Sequence, residues 1–414
     1  MLAPRSRVAT DAAKWSIMYD VQLPRDFRYA AVRCGVRADR DRLDLALVVS
    51  DRPASAAGVF TQNLVCAAPV LVCRERLPAQ DARGVVICAG NANACTGEQG
   101  LTDARTMASV AAARIGCEPR QVLVASTGVI GRMLPMANIE AGINDAAPKL
   151  ADTHDRFRDV SHAIMTTDTK PKTALRTLAM GDRSIQLAGF AKGAAMIGPN
   201  LATMLAFVVT DAAVAPDQLH AMLRRAAERS FNCISVEGHT STNDTLLALA
   251  NGAAGSTLDS RGAAQFEAAL TEVCCELARA MAADAEGAHH FVTIEIEGLT
   301  DDTQARQVAK TVAESALVKS AIYGADPNWG RFVSAAGYSG VPFSESDVSL
   351  WLGDMLLYQH GTPVAFDAVA ASAYLRNNRD VSMRLRFARG SGRCTFWTCD
   401  LTPDYIRLNA DYTT

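Results

Sequence analysis

Short apolar runs alternate with helical patterns along most of the chain, which predicts a mixed α/β protein with substantial sheet. Runs of mostly apolar residues that are bounded by polar residues, Gly or Pro are typical of buried strands. The predicted strands are residues 43–49, 58–61, 69–73, 85–88, 122–125, 382–387 and 393–398.

Three segments show the apolar spacing that predicts amphipathic helices. In residues 260–283 an apolar residue recurs at three- or four-residue steps from Phe266 to Met281. Similar stripes begin after Pro216 and after the acidic residues 301–302, and both starts are typical of helix N-termini. No repeat or Ser/Pro-rich linker separates the two halves, so we expect them to pack together.

Composition and charge exclude several classes of protein. The chain has 414 residues, of which 49% are hydrophobic and 21% charged, which is ordinary for a globular protein. A formal net charge of −3 gives no basic field for nucleic acid. The longest apolar run, residues 202–209, is too short to span a bilayer, and the first residues do not look like a secretory signal. We therefore expect a cytoplasmic protein with no nucleic-acid or membrane partner.

The eleven cysteines and seven histidines indicate neither a disulfide framework nor a metal site. The cysteines are scattered, odd in number and without a CxxC pair, whereas structural zinc sites and disulfide-rich domains need regular spacing. The one histidine doublet, His289 and His290, has no metal-binding motif around it. We expect reduced, mostly buried thiols and no metal.

Two segments combine residues that suit acyl transfer, although GxSxG, GxxxxGK(S/T) and GxGxxG motifs are all missing. In residues 191–211, Lys192 lies in a loop of small residues and Thr203 stands where a loop becomes an apolar strand. A second strand runs out into Thr127 and Gly128, and a glycine amide can approach a ligand as closely as an oxyanion hole requires. On these residues alone, an ordinary strand start and an ordinary turn remain open.

Nine motifs spread over nearly the whole chain. They are GVFTQNLVCAAPV (58–70), NANACTG (91–97), ASTGVIG (125–131), IMTTDTKPK (164–172), AKGAAMIGPNLATML (191–205), TSTNDT (240–245), DAEGA (284–288), DPNWGR (326–331) and NADYTT (409–414). In sequence and order they resemble the ornithine acetyltransferase family of arginine biosynthesis, also called glutamate N-acetyltransferase or the bifunctional ArgJ type.

The resemblance implies a precursor that cuts itself between Ala202 and Thr203, giving an α chain of residues 1–202 and a β chain of residues 203–414. The Thr203 hydroxyl would attack the preceding carbonyl, and water would open the resulting ester. The new α-amine has an ordinary pKa of about 7.7 to 8.0, so it can accept the hydroxyl proton at physiological pH. Thr203 would then be a nucleophile that carries its own base.

In the family this threonine takes an acetyl group from N-acetylornithine, becomes acetyl-threonine, and passes the group to glutamate. The resemblance implies Thr127 and Gly128 as the hydrogen-bond donors of the oxyanion hole. The implied substrate-binding residues are Thr166, Lys192, Thr203, Glu286, Asn409 and Thr414. By their chemistry, Lys192 suits a substrate carboxylate and Glu286 an amino group.

The fold that the resemblance implies is a four-layer αββα sandwich of the DmpA/ArgJ type, in which helices cover two central sheets. The family also implies a heterotetramer of two α and two β chains. No cofactor is expected because an acetylated amino acid is the donor, while acetyl-CoA stays open as an alternative donor.

The chain departs from the family pattern at a few positions. After Glu286 it reads EGAHH where EGATK is usual, so His289 and His290 follow a predicted substrate contact. Glu237 and His239 stand where Asp is common. The alternative function is therefore that of a related self-processing acyltransferase or amidohydrolase, acting on a different N-acyl amino acid.

Overall fold

The computed structural model describes residues 21–37, 39, 41–181, 183–198, 204–255 and 258–411. The strands are β1 Phe27–Val32, β2 Leu45–Phe60, β3 Ala79–Asn91, β4 Val122–Val129, β5 Lys172–Met180, β6 Arg183–Lys192, β7 Leu205–Thr210, β8 Thr245–Ala250, β9 Phe291–Leu299, β10 Ser349–Leu352, β11 Met355–Gln359, β12 Thr362–Pro363, β13 Asp380–Arg386 and β14 Gly392–Cys399. The α-helices are α1 Ala68–Arg76, α2 Gly97–Ile115, α3 Met136–Ala146, α4 His154–Ala163, α5 Pro216–Arg229, α6 Ser260–Ala283, α7 Asp302–Glu314, α8 Ala316–Tyr323, α9 Trp329–Gly337, α10 Ala368–Asn377 and α11 Pro403–Asp411.

The long strand β2 joins the two parts of the larger sheet, whose order is β4-β3-β2-β8-β7-β6-β5 with β1 on β2. The first half of β2 pairs with β1 and its second half with β8, while β3 pairs with residues 45–49 and, past an irregularity, with Ala54 and Ala56. Exposed residues 51–53, which include a proline, interrupt the apolar run between the halves. Because proline cannot donate to a ladder, β2 changes partners here, and the sheet divides into β1–β4 and β5–β8.

The two parts of this sheet face each other across one core. Side chains alternate along a strand, and in β6 to β8 Phe190, Phe207 and Leu247 belong to the core that β1–β4 also line. Their neighbours Ala191 and Ala206 belong to a second core with α5 and α6. Helices α1 and α2 contact β4 on the other side. The layers are helices, sheet, sheet and helices, which confirms the predicted α/β sandwich.

A smaller unit follows in the last third of the chain. Its sheet has the order β12-β11-β10-β13-β9-β14, and α7 contacts β9 and β14 around a third core. From β14 the chain returns to the larger sheet through α11, whose Tyr405 packs against the core under α5 and α6. This return brings the C-terminal helix to the candidate site.

Side-chain caps set the starts of two of the three helices that the sequence predicted, while α5 begins with Pro216 and has no side-chain cap. Asp259 Oδ1 accepts the Gly262 N–H over 2.7 Å at the start of α6, and Asp301 Oδ1 accepts the Gln304 N–H over 2.9 Å at the start of α7. Helix α6 has the predicted bounds of 260–283. Among the described residues, no helix is long and apolar enough to cross a membrane.

One predicted strand is wrong. Residues 69–73 lie in helix α1, while the other predicted strands fall in β2, β3, β4, β13 and β14. Pro69 lies in the first turn of α1, where its missing N–H has no helical partner to lose and its fixed φ favours the helix. A short buried apolar run does not by itself distinguish helix from strand.

Four buried aromatic rings connect β1, α4, β6 and β7. The ring centroids of Tyr29 and Phe157 are 5.3 Å apart, those of Phe157 and Phe190 5.7 Å, and those of Phe190 and Phe207 5.0 Å. Aromatic pairs at these separations add to the free energy gained from burial. Phe157 and Phe190 each have a ring on both sides, so Phe190 is one of the two inner rings of this row.

We expect Phe190→Ala to lower the free energy of unfolding by about 3 to 5 kcal/mol, because it leaves a cavity between two rings. Urea denaturation of the purified protein measures this change. Leu64→Ala is the control, since Leu64 is 100% exposed, and it should change the free energy by no more than about 0.5 kcal/mol. Equal losses in the two variants would contradict the inner position of Phe190.

Candidate active site

One cavity of about 130 Å³ brings together the described residues that the family resemblance implies. It lies where the ends of β4 and β6 meet the loops after α4 and α6 and the end of α11. Its lining includes Thr127, Gly128, Thr166, Lys192, Glu286 and Asn409. Apart from the adjacent pair Thr127 and Gly128, these residues are far apart in sequence, and the tertiary structure makes them neighbours.

Three predicted site residues, Ala202, Thr203 and Thr414, lie outside the described residues. The first described residue after Thr203 is Met204, which is buried and directly precedes β7. The last described residue is Asp411, which ends α11. The proposed cleavage site is thus adjacent in sequence to a buried strand of the larger sheet.

The predicted oxyanion turn at the end of β4 requires a glycine. Gly128 has φ +132°, and a Cβ on it would lie 2.3 Å from the carbonyl carbon of Gly90. Only a residue without a side chain fits so close to the neighbouring strand. Thr127, directly before it, is buried, and its Oγ1 accepts a hydrogen bond from Lys192 Nζ over 3.4 Å.

Asn243 holds this turn in place from the segment before β8. Its Nδ2 donates to the carbonyl oxygens of Ala92, over 2.6 Å, and Ser126, over 2.8 Å. Both carbonyls belong to segments that reach the cavity, and Asn243 itself lines it. Sequence reasoning assigned Asn243 no role, although the motif TSTNDT that contains it carried part of the resemblance.

The next residue, Asp244, holds the start of β7. Its Oδ1 accepts the Met204 N–H over 3.0 Å, and its Oδ2 is buried without a hydrogen-bond partner among the described residues. Burial raises the pKa of Asp244 well above its ordinary value, although Met204 N–H, Lys192 and Ser241 act in the opposite direction. One short segment therefore positions both the oxyanion turn and the residue that follows Thr203.

Lys192 ends β6 opposite Leu205 of β7, and only 3% of it is exposed. Within the described part of the chain its ammonium makes no ion pair, and its one hydrogen bond goes to Thr127. Leaving a buried charge without a partner is costly. The cavity therefore offers an anion a cationic partner next to the oxyanion turn.

The charged groups around Lys192 act in both directions on its pKa. Burial, the largest effect, lowers the pKa of Lys192 below its ordinary value. Asp168 and Asp244 act against this change, whereas Lys172 and Arg37 add to it. An anionic ligand at the cavity would favour the charged form.

Glu286 and Asn409 form the opposite wall. Asn409 Nδ2 donates to Glu286 Oε2 over 3.2 Å, and the Glu286 N–H donates to the Ala194 carbonyl over 2.9 Å. The next residue, Gly287, has φ +65°, and a Cβ there would lie 2.5 Å from the Tyr405 nitrogen. This close approach lets α11 carry Asn409 to the cavity, so the wall combines a carboxylate with an amide.

The histidines of the EGAHH departure do not line this cavity. His290 Nδ1 lies 2.7 Å from Asp400 Oδ2, and its Nε2 lies 2.9 Å from the Leu375 carbonyl oxygen. The hydrogen bond with Asp400 raises the pKa of His290. His289 Nε2 lies 3.2 Å from Asp404 Oδ2. Both rings are bound to the segments around α11 and not to the predicted substrate residues.

A larger cavity of about 510 Å³ lies between α5, α6 and β14 and includes none of the predicted site residues. Its lining mixes acidic and basic side chains with three cysteines. In the part of the chain that the structure describes, no three His, Cys, Asp or Glu side chains are grouped so that they could hold a metal ion. The smaller cavity is the better candidate for the active site, because it is lined by the predicted site residues.

Comparison with known proteins gives consistent matches. A sequence model of the ArgJ family matches residues 28–414. The arginine biosynthesis bifunctional protein ArgJ of Geobacter sulfurreducens is 46% identical over 391 residues, which cover 94% of this chain and 99% of that protein. The ArgJ protein of Thermosynechococcus vestitus is 44% identical over 412 residues, covering 95% and 98%.

Solved structures also match parts of the chain. ArgJ from Bacillus halodurans is 39% identical with a TM-score of 0.48, covering 50% of this chain and 98% of that chain. Ornithine acetyltransferase from Mycobacterium tuberculosis, solved with ornithine, is 38% identical with a TM-score of 0.41, covering 45% and 95%.

We expect Gly128→Ala to reduce kcat of acetyl transfer by about 10²- to 10³-fold, because the clash with Gly90 moves a predicted oxyanion donor. Steady-state kinetics with N-acetylornithine and glutamate measure the loss. Gly131→Ala is the matched control: Gly131 has φ +80°, but a Cβ there meets nothing within 4 Å. That variant should lose stability, by about 1 to 2 kcal/mol, and little activity. An active Gly128→Ala enzyme would contradict the oxyanion assignment.

Proposed function

The chain belongs to the ArgJ family, and from that premise we propose that Thr203 is its nucleophile, released by self-cleavage after Ala202. The enzyme transfers an acetyl group from N-acetylornithine to glutamate in arginine biosynthesis. Between the two half-reactions the acetyl group is held as an ester on Thr203. The proposal includes a cytoplasmic heterotetramer of two α and two β chains that needs no cofactor.

The observation that carries this proposal is the buried ammonium of Lys192, which has no ion-pair partner among the described residues and lies 3.4 Å from Thr127 Oγ1. N-acetylornithine and glutamate both have an α-carboxylate, which can supply the missing partner through charge-assisted hydrogen bonds. A carboxylate bound there lies beside the oxyanion turn. The reacting acetyl group, attached to the neighbouring nitrogen, is then close to Thr127 and Gly128.

The wall formed by Glu286 and Asn409 suits the rest of the substrate. N-acetylornithine carries a side-chain ammonium, and a carboxylate is the side chain best able to bind it. Asn409 binds one oxygen of Glu286 and so limits its rotation. Thr166, on a neighbouring wall, adds a hydroxyl. The cavity thus offers a cation for the carboxylate and an anion for the amino group.

In the first half-reaction the Thr203 hydroxyl attacks the acetyl carbonyl, and the α-amine of the same residue takes its proton. Since Lys192 donates to Thr127 Oγ1, the Thr127 hydroxyl is free to donate to the oxyanion together with the Gly128 N–H. The C–N bond breaks and the proton goes to ornithine, which leaves. The amino group of glutamate then attacks the acetyl ester, and Thr203 regains its hydroxyl.

Self-cleavage uses the same groups in the precursor. The Thr203 hydroxyl attacks the Ala202 carbonyl, the peptide becomes an ester, and water opens it to leave a free α-amine on Thr203. The contact between Asp244 and Met204 supports this step, because it fixes the backbone directly after the reacting residue. Asn243, one residue before Asp244, holds the turn that would stabilise the oxyanion.

We expect Thr203→Ala to remain one chain of about 44 kDa on a denaturing gel and to show no acetyl transfer, because the variant has no hydroxyl to attack either carbonyl. Wild-type protein should give two fragments, with mass spectrometry placing the new N-terminus at Thr203. Thr203→Ser is the control that keeps a hydroxyl and should still cleave. Normal turnover by the alanine variant would refute the mechanism.

Kinetics of the wild-type enzyme separate the proposed function from its alternatives. Ornithine release that requires glutamate, with parallel initial-rate lines, supports the double-displacement scheme. Release without glutamate would indicate an amidohydrolase instead. Replacing N-acetylornithine with acetyl-CoA tests whether the enzyme also accepts that donor.

A further inference from the structure

A completely buried lysine lies behind the cavity without lining it. Lys172 begins β5, and its Nζ lies 2.5 Å from Asp168 Oδ1 and 2.6 Å from Asp284 Oδ2. The side chains of Lys172 and Asp168 are 0% exposed and that of Asp284 is 5% exposed. We call these three residues the Lys172 cluster. None of them belongs to the site described so far.

Asp168 connects the cluster to two walls of the cavity. Its Oδ2 accepts the Thr166 N–H over 2.9 Å, and its Oδ1 accepts the Gly193 N–H over 2.6 Å. Gly193 directly follows Lys192. Burial acts to raise the pKa of Asp168, but Lys172 and Lys192 outweigh it, so the pKa lies well below its ordinary value. One ionised carboxylate therefore fixes the backbone beside two of the predicted substrate residues.

Asp284 connects the cluster to the third wall. It follows the last residue of α6 and accepts hydrogen bonds from the N–H of Thr169, over 3.0 Å, and from the Thr169 hydroxyl. Two residues later comes Glu286, whose N–H donates to Ala194, in the segment after Lys192. The loop that carries Glu286 is thus fixed at two points close to the cavity.

A buried ion cluster alone is weak grounds for a function, because well-packed apolar residues often replace such groups at no cost in stability. This cluster differs in where its remaining hydrogen bonds go. They bind the segments that carry Thr166 and Lys192, and Asp284 itself belongs to the segment that carries Glu286. Two of these segments are loops between a helix and a strand, so sheet pairing does not fix their positions.

We propose that the Lys172 cluster positions the cavity walls: it sets the distances between Thr166, Lys192 and Glu286, and thereby the binding of a substrate with both a carboxylate and an amino group. Lys172 acts through its two carboxylate partners and does not touch the substrate, so it is a positioning residue. The inference rests on the proposed function, since it takes these three residues as substrate contacts.

The cluster also affects the charge of Lys192. Burial lowers the pKa of Lys192. Among the charged groups that face it in the described chain, Lys172 and Arg37 also lower this pKa, whereas Asp168 and Asp244 raise it. A substrate carboxylate binds the ammonium form. Binding therefore weakens as the pH rises through the lowered pKa of Lys192, and removing the charge of Asp168 should move this loss to lower pH.

The first test is Lys172→Met, which removes the ammonium and keeps most of the volume. We expect kcat/KM for both substrates to fall about 10²-fold, as for a misplacement of about 1 Å, mainly through a higher KM. A denaturing gel checks that the variant still cleaves. Unchanged KM values in a folded, cleaved variant would refute the proposal. Asp284→Asn, which leaves Asp168 paired with Lys172, is the milder second variant and should raise KM less.

Asp168→Asn gives a readout that loss of stability alone would not move. The amide keeps an oxygen for the Thr166 N–H but removes the negative charge near Lys192. We expect the high-pH rise in KM to begin at a lower pH than in the wild type. An unshifted pH profile would contradict the electrostatic part of the inference.

Lys319→Met is the matched control, because Lys319 is another buried lysine whose Nζ donates to Thr398 Oγ1 and the Cys399 carbonyl. It should lower the melting temperature and leave KM unchanged. An equal rise in KM would show that Lys172 acts only through stability. Wild-type protein, measured in parallel, separates the proposed function from the positioning role. If the wild type transfers no acetyl group, the proposed function is wrong. If the wild type is active and the Lys172 cluster variants keep its KM values, only the positioning role is wrong.

Discussion

Two lysine ammonium groups are buried side by side at the edge of the sandwich, and the candidate site depends on how their charges are balanced. Lys172 is neutralised by two carboxylates, whereas Lys192 makes no ion pair within the described residues. Burial penalises a charged group, and a nearby carboxylate offsets part of that penalty. Asp168 faces both lysines, so it stabilises one inside the protein and leaves the other available to a ligand.

The fold makes this arrangement possible because strand ends from both sheet parts meet at the cavity. β4 brings Thr127 and Gly128 from one part, and β6 brings Lys192 from the other. The segment before β8 bridges them, since Asn243 binds Ser126 and Asp244 binds Met204. A rigid sheet edge thus holds the proposed oxyanion donors, while loops and α11 supply the groups that suit the substrate's amino end.

The two histidines of the EGAHH departure lie outside the cavity wall. His290 is held by Asp400 and the Leu375 carbonyl, and His289 lies beside Asp404. Their influence on the cavity is therefore indirect, through the segments around α11 that carry Asn409. The lining that the structure describes contains the cation, the hydroxyls and the carboxylate on which the proposed acetyl transfer depends.

The local sequence was sufficient to predict a helix or strand wherever one type of local interaction decided its structure. The apolar stripe and the cap at Asp259 define α6, and the apolar runs with flanking breakers fall in β2, β3, β4, β13 and β14. The strand prediction failed at residues 69–73, because a buried apolar run suits a helix and a strand equally. Pro69 in the first turn favoured the helix. The roles of Lys192, Glu286 and Asn409 came from motif resemblance. Taken alone, each of these side chains could equally well be a solvent-exposed group on the surface of a loop or helix.

The sequence by itself determined which residue types were present and, through nine motifs, which family the chain belongs to. Only the tertiary structure decided that Asn243, Asp244 and Lys172 matter to the site. Their importance lies in which distant backbone groups and charges they contact: Asn243 reaches Ala92, 151 positions away, and Lys172 reaches Asp284, 112 positions away. Such contacts depend on how the sheet folds over on itself, and no local pattern records them.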